Sequence, residues 1–343
     1  MAIPRTPSVP AAISSQGTLR LQHILVACDL LSDRHVAQIA ATADGWGVVR
    51  RISNDAPASE MQRELAWASI VIGWARADLL VKSQVRLYLC ASAGLDGYLG
   101  AGLEAKPDFR ICSAGSTMSV PIAEHLLMLM LALTRDLPVI IRHQGMRRWE
   151  RRWHAGELNG TTVCIVGLGE SGTELARRCQ LLGLRVVGVR RDARHGHPNV
   201  DVVYPVARLL EAVREADHVV AVVPGGSHTR HLFSASVFAA MKPGARFYSA
   251  SRGSVVDEPA LIAGLRSGQI GGAGLDVFAE EPLPASSPLW EFDNVIVSPH
   301  SAGLSVRLGD RLSAHFCRNL ERFQKNEPLC NEVDLSRYAI PLP

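Results

Sequence analysis

Residues 161–172 read TTVCIVGLGESG. The β-branched run TVCIV has the length and composition of a buried strand. It leads into Gly167, Gly169 and Gly172, spaced as GxGxxG, and then into a segment that puts Leu175, Cys179 and Leu182 on one helical face. The glycine spacing alone is a weak signal; between a strand and a helix it is a strong one. The first glycine makes the tight turn, the second lets backbone approach a pyrophosphate, and the third lets helix and strand pack closely. The helix N-terminus offers the anion backbone N–H groups and a positive dipole end. Gly167, Gly169, Glu170, Ser171 and Gly172 are therefore candidate dinucleotide contacts, Glu170 being an unusual neighbour for a phosphate.

Downstream, strands are expected at RVVGV (185–189), HVVAVV (218–223), ARFYSA (245–250), GAGLDVF (272–278) and NVIVS (294–298), with helical segments between most of them. That alternation predicts a doubly wound parallel sheet. Upstream, HILVAC (23–28), ASIVIGW (68–74) and VRLYLCAS (85–92) are separated by amphipathic stretches such as HVAQIAATA, and predict a second, smaller α/β unit. PIAEHLLMLMLALTRD (121–136) is apolar nearly all round. It predicts a helix buried on several sides, with Pro121 in its first turn. The amphipathic RLSAHFCRNLERFQK comes too late for the second sheet and is expected to return to the first unit.

The chain has 343 residues, 47% apolar and 20% charged, which suits two soluble domains with large cores. A net charge of +3 gives no indication of a polyanionic partner. The seven cysteines include no CxxC and no metal-like spacing, so reduced thiols, a reducing compartment and no metal site are expected. Residues 1–18 are rich in Pro, Ser and Ala, carry no signal-peptide run and read as a disordered arm. The longest apolar run is broken by Glu124 and His125 and reads as too short to span a bilayer. A cytoplasmic protein follows as the expectation, with neither membrane nor nucleic acid as partner. The basic connector IRHQGMRRWERRWH (141–154) reads as a solvated face whose Arg stems and Trp rings pack on the body.

In an open α/β sheet, ligands bind in the crevice outside the carboxyl ends of the strands. Three polar residues stand there: Arg252 after ARFYSA, Glu281 after GAGLDVF and His300 after NVIVS. One such histidine alone is more often a packing or capping residue. Three together form a coherent chemical set. A carboxylate fixes the tautomer of an imidazole and supports its charged form. An imidazolium can give a proton to a carbonyl as hydride arrives. A guanidinium can clamp a carboxylate and polarise the adjacent oxygen. At the end of the second strand after the glycine loop, where a carboxylate normally accepts from the ribose 2′-OH, the chain has VRRDAR instead. Arg190 and Arg191 there favour a 2′-phosphate, unless Asp192, two positions late, takes the ribose.

The glycine loop together with MKPGARFYSASRGSVVDEPALIAGLRSGQIGGAGLDVFAEEPLPASSPLWEFDNVIVSPHSAG resembles the D-isomer-specific 2-hydroxyacid dehydrogenase family. The resemblance covers roughly residues 65–335, with loops most similar to the glyoxylate/hydroxypyruvate reductase branch. It implies a doubly wound Rossmann coenzyme domain over 119–304 and a smaller flavodoxin-like α/β substrate domain over 19–118 and 305–343. By motif position it implies that Arg252 holds the substrate carboxylate and keto oxygen, that Glu281 pairs with His300, and that His300 is the acid/base. Asp276, Ala250 and Ser251 would line the nicotinamide pocket, with Val223, Pro224, Thr229 and Gly303 as further coenzyme contacts. Ala93, Gly94 and Arg76 would face the substrate. The resemblance also implies a D-configured product and a homodimer built on the coenzyme domains; no metal is expected to be required, because Arg252 and His300 polarise the carbonyl. With the arginines of VRRDAR, NADP(H) is expected to be preferred and NAD(H) to be the second option.

Three positions depart from the family: Ser249 where Asn is usual, Ser298 where Thr precedes the Pro-His pair, and Ser171 where the glycine loop usually has an apolar residue. A competing expectation is a nucleotide-sensing scaffold like the C-terminal-binding-protein corepressors, supported only by the basic 142–152 segment. Formate-type chemistry is disfavoured, because those enzymes usually carry Gln where this chain has Glu281.

Overall fold

The computed structural model describes residues 21–152 and 154–335; the expected disordered arm, 1–18, lies outside the described residues. Two sheets organise the chain. The first contains β1 (Gln22–Ala27), β2 (Gly47–Ile52), β3 (Ile70–Gly73), β4 (Leu87–Cys90) and β5 (Arg110–Cys112), in the order β2-β1-β3-β4-β5. The second contains β6 (Thr162–Val166), β7 (Arg185–Arg190), β8 (Val202–Pro205), β9 (His218–Ala221), β10 (Ala245–Ser249), β11 (Ile270–Leu275) and β12 (Val295–Val297). Its order is β12-β11-β10-β9-β6-β7-β8. All pairings in both sheets are parallel. The first order is flavodoxin-like; the second is the Rossmann order with one strand added.

Alternate residues of each central strand feed opposite faces. Ile24 and Val26 join one apolar cluster, and Leu25 and Ala27 another. Likewise Cys164 and Val166 face one way, Val163 and Ile165 the other. Helices on both faces are what make such strands read as unbroken apolar runs. Three strands escape that reading: β2, β5 and β8. All are sheet edges, with one neighbour each. Arg50 and Arg51 interrupt β2, β5 has only three residues, and β8 ends on Pro205. The expected strand 272–278 stops at Leu275, so Asp276 already belongs to the following loop.

Helices α1 (Asp33–Thr42), α2 (Ala58–Trp67) and α3 (Ala77–Val81) serve the first sheet. Then come α4 (Gly115–Thr134), α5 (Leu137–Gly145), α6 (Glu170–Leu181), α7 (Leu209–Arg214), α8 (Ala235–Ala240), α9 (Glu258–Ser267) and α10 (Leu308–Gln324). As expected for the closing helix, α10 returns to the first sheet: Leu312, Phe316 and Leu320 join the cluster of Ile24 and Val26.

Four expectations need correction. Helix α4 starts at Gly115, so Pro121 sits inside it rather than in its first turn. The polar prefix lacks apolar periodicity, but Thr117 Oγ1 and Ser119 Oγ satisfy the carbonyls of Ala114 and Ser116. By length and composition α4 could cross a membrane, contrary to the reading of its apolar run as too short, yet 56% of its most apolar window is buried inside the fold. On α6, Leu175 and Cys179 are buried as expected but Leu182 is exposed, because the helix ends just before it and the chain turns away. In the basic connector, residues up to Gly145 are helical, and the arginines engage carboxylates: Arg142 pairs with Asp293 and Arg152 with Asp136. Trp149 is 94% exposed and does not pack on the body, while Trp153 lies outside the described residues.

Candidate active site

The glycine loop follows β6 at the point where the strand order reverses, with β7 on one side and β9 on the other. Gly167 has φ +110°, and a Cβ there would lie 2.4 Å from the Val222 carbonyl oxygen. A Cβ on Gly172 would meet the Gly167 oxygen at 1.9 Å, so strand and helix touch backbone to backbone. Gly169, the N-cap of α6, has open space where its Cβ would be. Glu170 opens the helix and is exposed; Ser171 is half-buried. This cradle fits a pyrophosphate at a helix N-terminus.

Beyond the end of β7 lies an open cleft of about 700 Å³, lined by Arg191, Asp192, Arg194, Pro205 and Arg208 among others. Asp192 is gripped by Arg194, whose Nε and Nη2 donate to its two oxygens at 2.9 and 2.6 Å. That guanidinium lowers the Asp192 carboxyl to about 2. Arg208 lies over the Tyr204 ring at 4.9 Å and pairs with Glu211. Arg190 and Arg191 make no ion pair among the described residues. Sequence reasoning missed Arg194 and Arg208. The first stands inside VRRDAR and could have been found; the second reaches the cleft only because β8 lies beside β7.

The other end of the crevice is built at the carboxyl ends of β10, β11 and β12. Glu281 Oε1 accepts from the Phe278 N–H at 3.0 Å, and its Oε2 lies 2.7 Å from His300 Nδ1. Nδ1 is then the donor, leaving Nε2 for the crevice. His300 has φ +50°, a conformation that is costly for a side chain other than glycine. Its N–H donates to the Asp276 carbonyl at 2.9 Å. The Asp276 carboxylate, 2% exposed, accepts from Ser298 Oγ (2.6 Å) and from the N–H groups of Ser301 and Ala302 (2.9 Å each). Oδ1 thereby takes two bonds and Oδ2 one, so Oδ2 retains a lone pair that can accept from a carboxamide.

Arg252 follows β10. Its Nη1 donates to the Ser251 carbonyl at 2.8 Å, and its Nε to Asp96 Oδ2 at 2.9 Å. The remaining nitrogen, Nη2, lies against Gly94: a Cβ there would come within 1.8 Å of it. A Cβ on Gly253 would meet the Phe278 carbonyl oxygen at 1.7 Å, so the Arg252 and Glu281 loops are pressed together. Ser251 is buried, and its Oγ accepts from the Val223 N–H at 3.0 Å. Thr229 Oγ1 donates to the Pro224 carbonyl at 2.8 Å. Ala250 is tied to β9 through its N–H, and Gly303 faces Met118. Ser249 Oγ is buried with no hydrogen-bond partner among the described residues.

From the first unit, the loop carrying Ala93, Gly94 and Asp96 meets Arg252, whereas Arg76 does not join it. Arg76 is well exposed and makes a bidentate pair with Asp78 at 3.0 Å. Asp96 was not singled out in the sequence; nothing local in GLDGY marks it as the partner of a guanidinium 156 residues away.

Known proteins agree with this architecture. Residues 127–302 match the family model described as the D-isomer specific 2-hydroxyacid dehydrogenase, NAD binding domain. A glyoxylate reductase of Korarchaeum cryptofilum is 34% identical over 207 residues, which are 58% of this chain and 61% of that protein. A glyoxylate/hydroxypyruvate reductase B of Escherichia fergusonii is 32% identical over 264 residues, covering 74% of this chain and 81% of the relative. The solved NADPH-dependent glyoxylate/hydroxypyruvate reductase of Sinorhizobium meliloti, in complex with NADP and sulfate, superposes with a TM-score of 0.78 at 27% identity, over 92% of this chain and 99% of that one. A matching coenzyme-domain model over half the sequence, the Rossmann strand order and the two-sheet architecture lead to one conclusion: the chain belongs to the D-isomer specific 2-hydroxyacid dehydrogenases, oxidoreductases that act on a CH–OH carbon.

Proposed function

We propose that the protein reduces a small 2-keto acid of the glyoxylate/hydroxypyruvate type to the D-2-hydroxy acid and prefers NADPH. The observation that carries this reading is the His300–Glu281 pair at 2.7 Å, beside the Arg252 loop and the buried Asp276. The bound coenzyme supplies the hydride. Arg252 Nη2 and the Gly94 backbone take the substrate carboxylate, and the guanidinium polarises the keto oxygen. His300 Nε2 gives that oxygen its proton, and Glu281 stabilises the charge on the ring and holds its orientation. Asp276 orients the nicotinamide ring through its carboxamide. Residues 19–118 with the closing helix serve as the substrate domain and 119–304 as the coenzyme domain.

Arg190 and Arg191, which make no ion pair among the described residues, support the preference for a 2′-phosphate. Asp192 is ion-paired to Arg194, whose guanidinium offsets the repulsion that carboxylate would exert on a 2′-phosphate. A second copy of the chain is proposed to cover the exposed apolar side chains Met128, Leu131, Leu137, Ile140, Ile141 and Met146 on α4, α5 and just beyond. The test of the function is kcat/KM for a panel of 2-keto acids with each coenzyme. Reduction of glyoxylate or hydroxypyruvate, faster with NADPH, is expected; no turnover of any 2-keto acid overturns the reading. Light scattering of the purified protein checks the dimer.

A further inference from the structure

We infer that His125, on α4, is a positioning residue for the reaction, acting through Ser298 and Asp276 on the loop that carries His300. Its Nε2 lies 2.8 Å from Ser298 Oγ and 3.6 Å from Asp276 Oδ1, and its side chain is 16% exposed. The directions of these bonds follow from the groups. The Asp276 carboxylate can only accept, so the Ser298 hydroxyl donates to it across 2.6 Å. The hydroxyl oxygen then accepts, and His125 Nε2–H is the donor aimed at it. The result is a directed chain, from His125 N–H to Ser298 O–H to the Asp276 carboxylate.

That carboxylate needs such help. It is buried, and no Lys or Arg pairs with it among the described residues. Buried charges are otherwise paired or strongly hydrogen-bonded. Donors on Asp276 come from Ser298, Ser301 and Ala302, and its own carbonyl holds the His300 N–H. One aspartate therefore fixes both the strained backbone of His300 and, by its spare Oδ2 lone pair, the place of a carboxamide. His125 is the group on the far side that fixes the aspartate. Its effect should fall on coenzyme binding and on turnover, not on the carboxylate clamp at Arg252, which is held from Asp96 and Ser251. The inference rests on the proposed coenzyme-dependent function.

The test compares His125→Phe, which keeps ring volume but has no donor, with His125→Gln, whose amide N–H can take the place of Nε2–H. Ser298→Ala breaks the same chain from its other end without touching α4. Binding of NADPH is followed by its fluorescence, kcat and KM by steady-state assay, and folding by Tm. Loss of one hydrogen bond to a charge-linked network corresponds to about a tenfold effect. In His125→Phe and Ser298→Ala, about that rise in the Kd for NADPH and a comparable fall in kcat are expected. The KM for the keto acid should hold within about twofold, and His125→Gln should recover most of the loss. An unchanged Kd and kcat in His125→Phe, or equal losses in the Phe and Gln variants, overturns the inference. Wild-type protein that binds NADPH yet reduces no 2-keto acid sinks the proposed function but leaves the Kd comparison standing.

Discussion

At the His300 end of the crevice, Asp276 collects the Ser298 hydroxyl and the N–H groups of His300, Ser301 and Ala302, while Glu281 is tied to its own loop through Phe278. At the opposite end, Arg190 and Arg191 stand at the tip of β7 without carboxylate partners among the described residues, and Arg194 holds Asp192 two positions before it. On the proposed function, the difference follows from the work each end would do. Proton and hydride transfer demand reacting atoms held in a near-attack geometry, and misplacement by about 1 Å can cost 10²-fold. Reading a phosphate demands charge within reach, which long side chains in an open cleft supply without a fixed backbone.

The largest test of this contrast is His300→Ala. It should lower kcat by the 10²–10⁴-fold typical of general acid catalysis and leave the Kd for NADPH nearly unchanged. A steady-state assay paired with coenzyme fluorescence decides it; near wild-type turnover would return His300 to the class of packing histidines.

Gly94→Ala comes next. Its Cβ would fall within 1.8 Å of Arg252 Nη2 and 2.6 Å of Asp96 Oδ2, so the guanidinium and its carboxylate partner must shift. The protein should fold with little change in Tm, while kcat/KM for the keto acid drops by about 10²-fold as the clamp is displaced. Unaltered kinetics would mean that Arg252 does not act from this position.

At the permissive end, Arg190→Asp combined with Arg191→Ala should shift the NADPH/NADH ratio of kcat/KM toward NADH by about 10- to 100-fold, the scale of one charge-assisted hydrogen bond. Turnover with saturating NADH should stay close to wild type. If the ratio does not move, the arginines are surface charges and the contrast between the two ends loses one of its sides.

The smallest effect is expected at Ser249. Its buried hydroxyl has no partner among the described residues, so Ser249→Ala removes an unsatisfied group. Urea unfolding should show stability unchanged or raised by up to about 1 kcal/mol. A clear loss would show that the hydroxyl is satisfied after all.

Much of this molecule is legible in one dimension. The strand, glycine turn and helix at 161–172 carry their own geometry, because each glycine answers a local steric demand: φ +110° at Gly167 and the 1.9 Å approach at Gly172. Central strands are buried on both faces and announce themselves as apolar runs; β2, β5 and β8 do not, because Arg50 and Arg51 interrupt the first, the second has only three residues and the third ends on Pro205. Arg252, Glu281 and His300 could be found because parallel strands all deliver their carboxyl ends to one side of the sheet. Beyond that rule the sequence has no reach. That Asp96 would hold Arg252, that Arg208 would enter the VRRDAR cleft, and that His125 would lie behind Asp276 all depend on packing between elements distant in the chain. Local propensity fixes the elements and the polarity of their ends. Only the tertiary structure decides which side chains meet, because a hydrogen bond of 2.6–2.9 Å is specified by the packing of whole elements and not by any residue's neighbours in sequence.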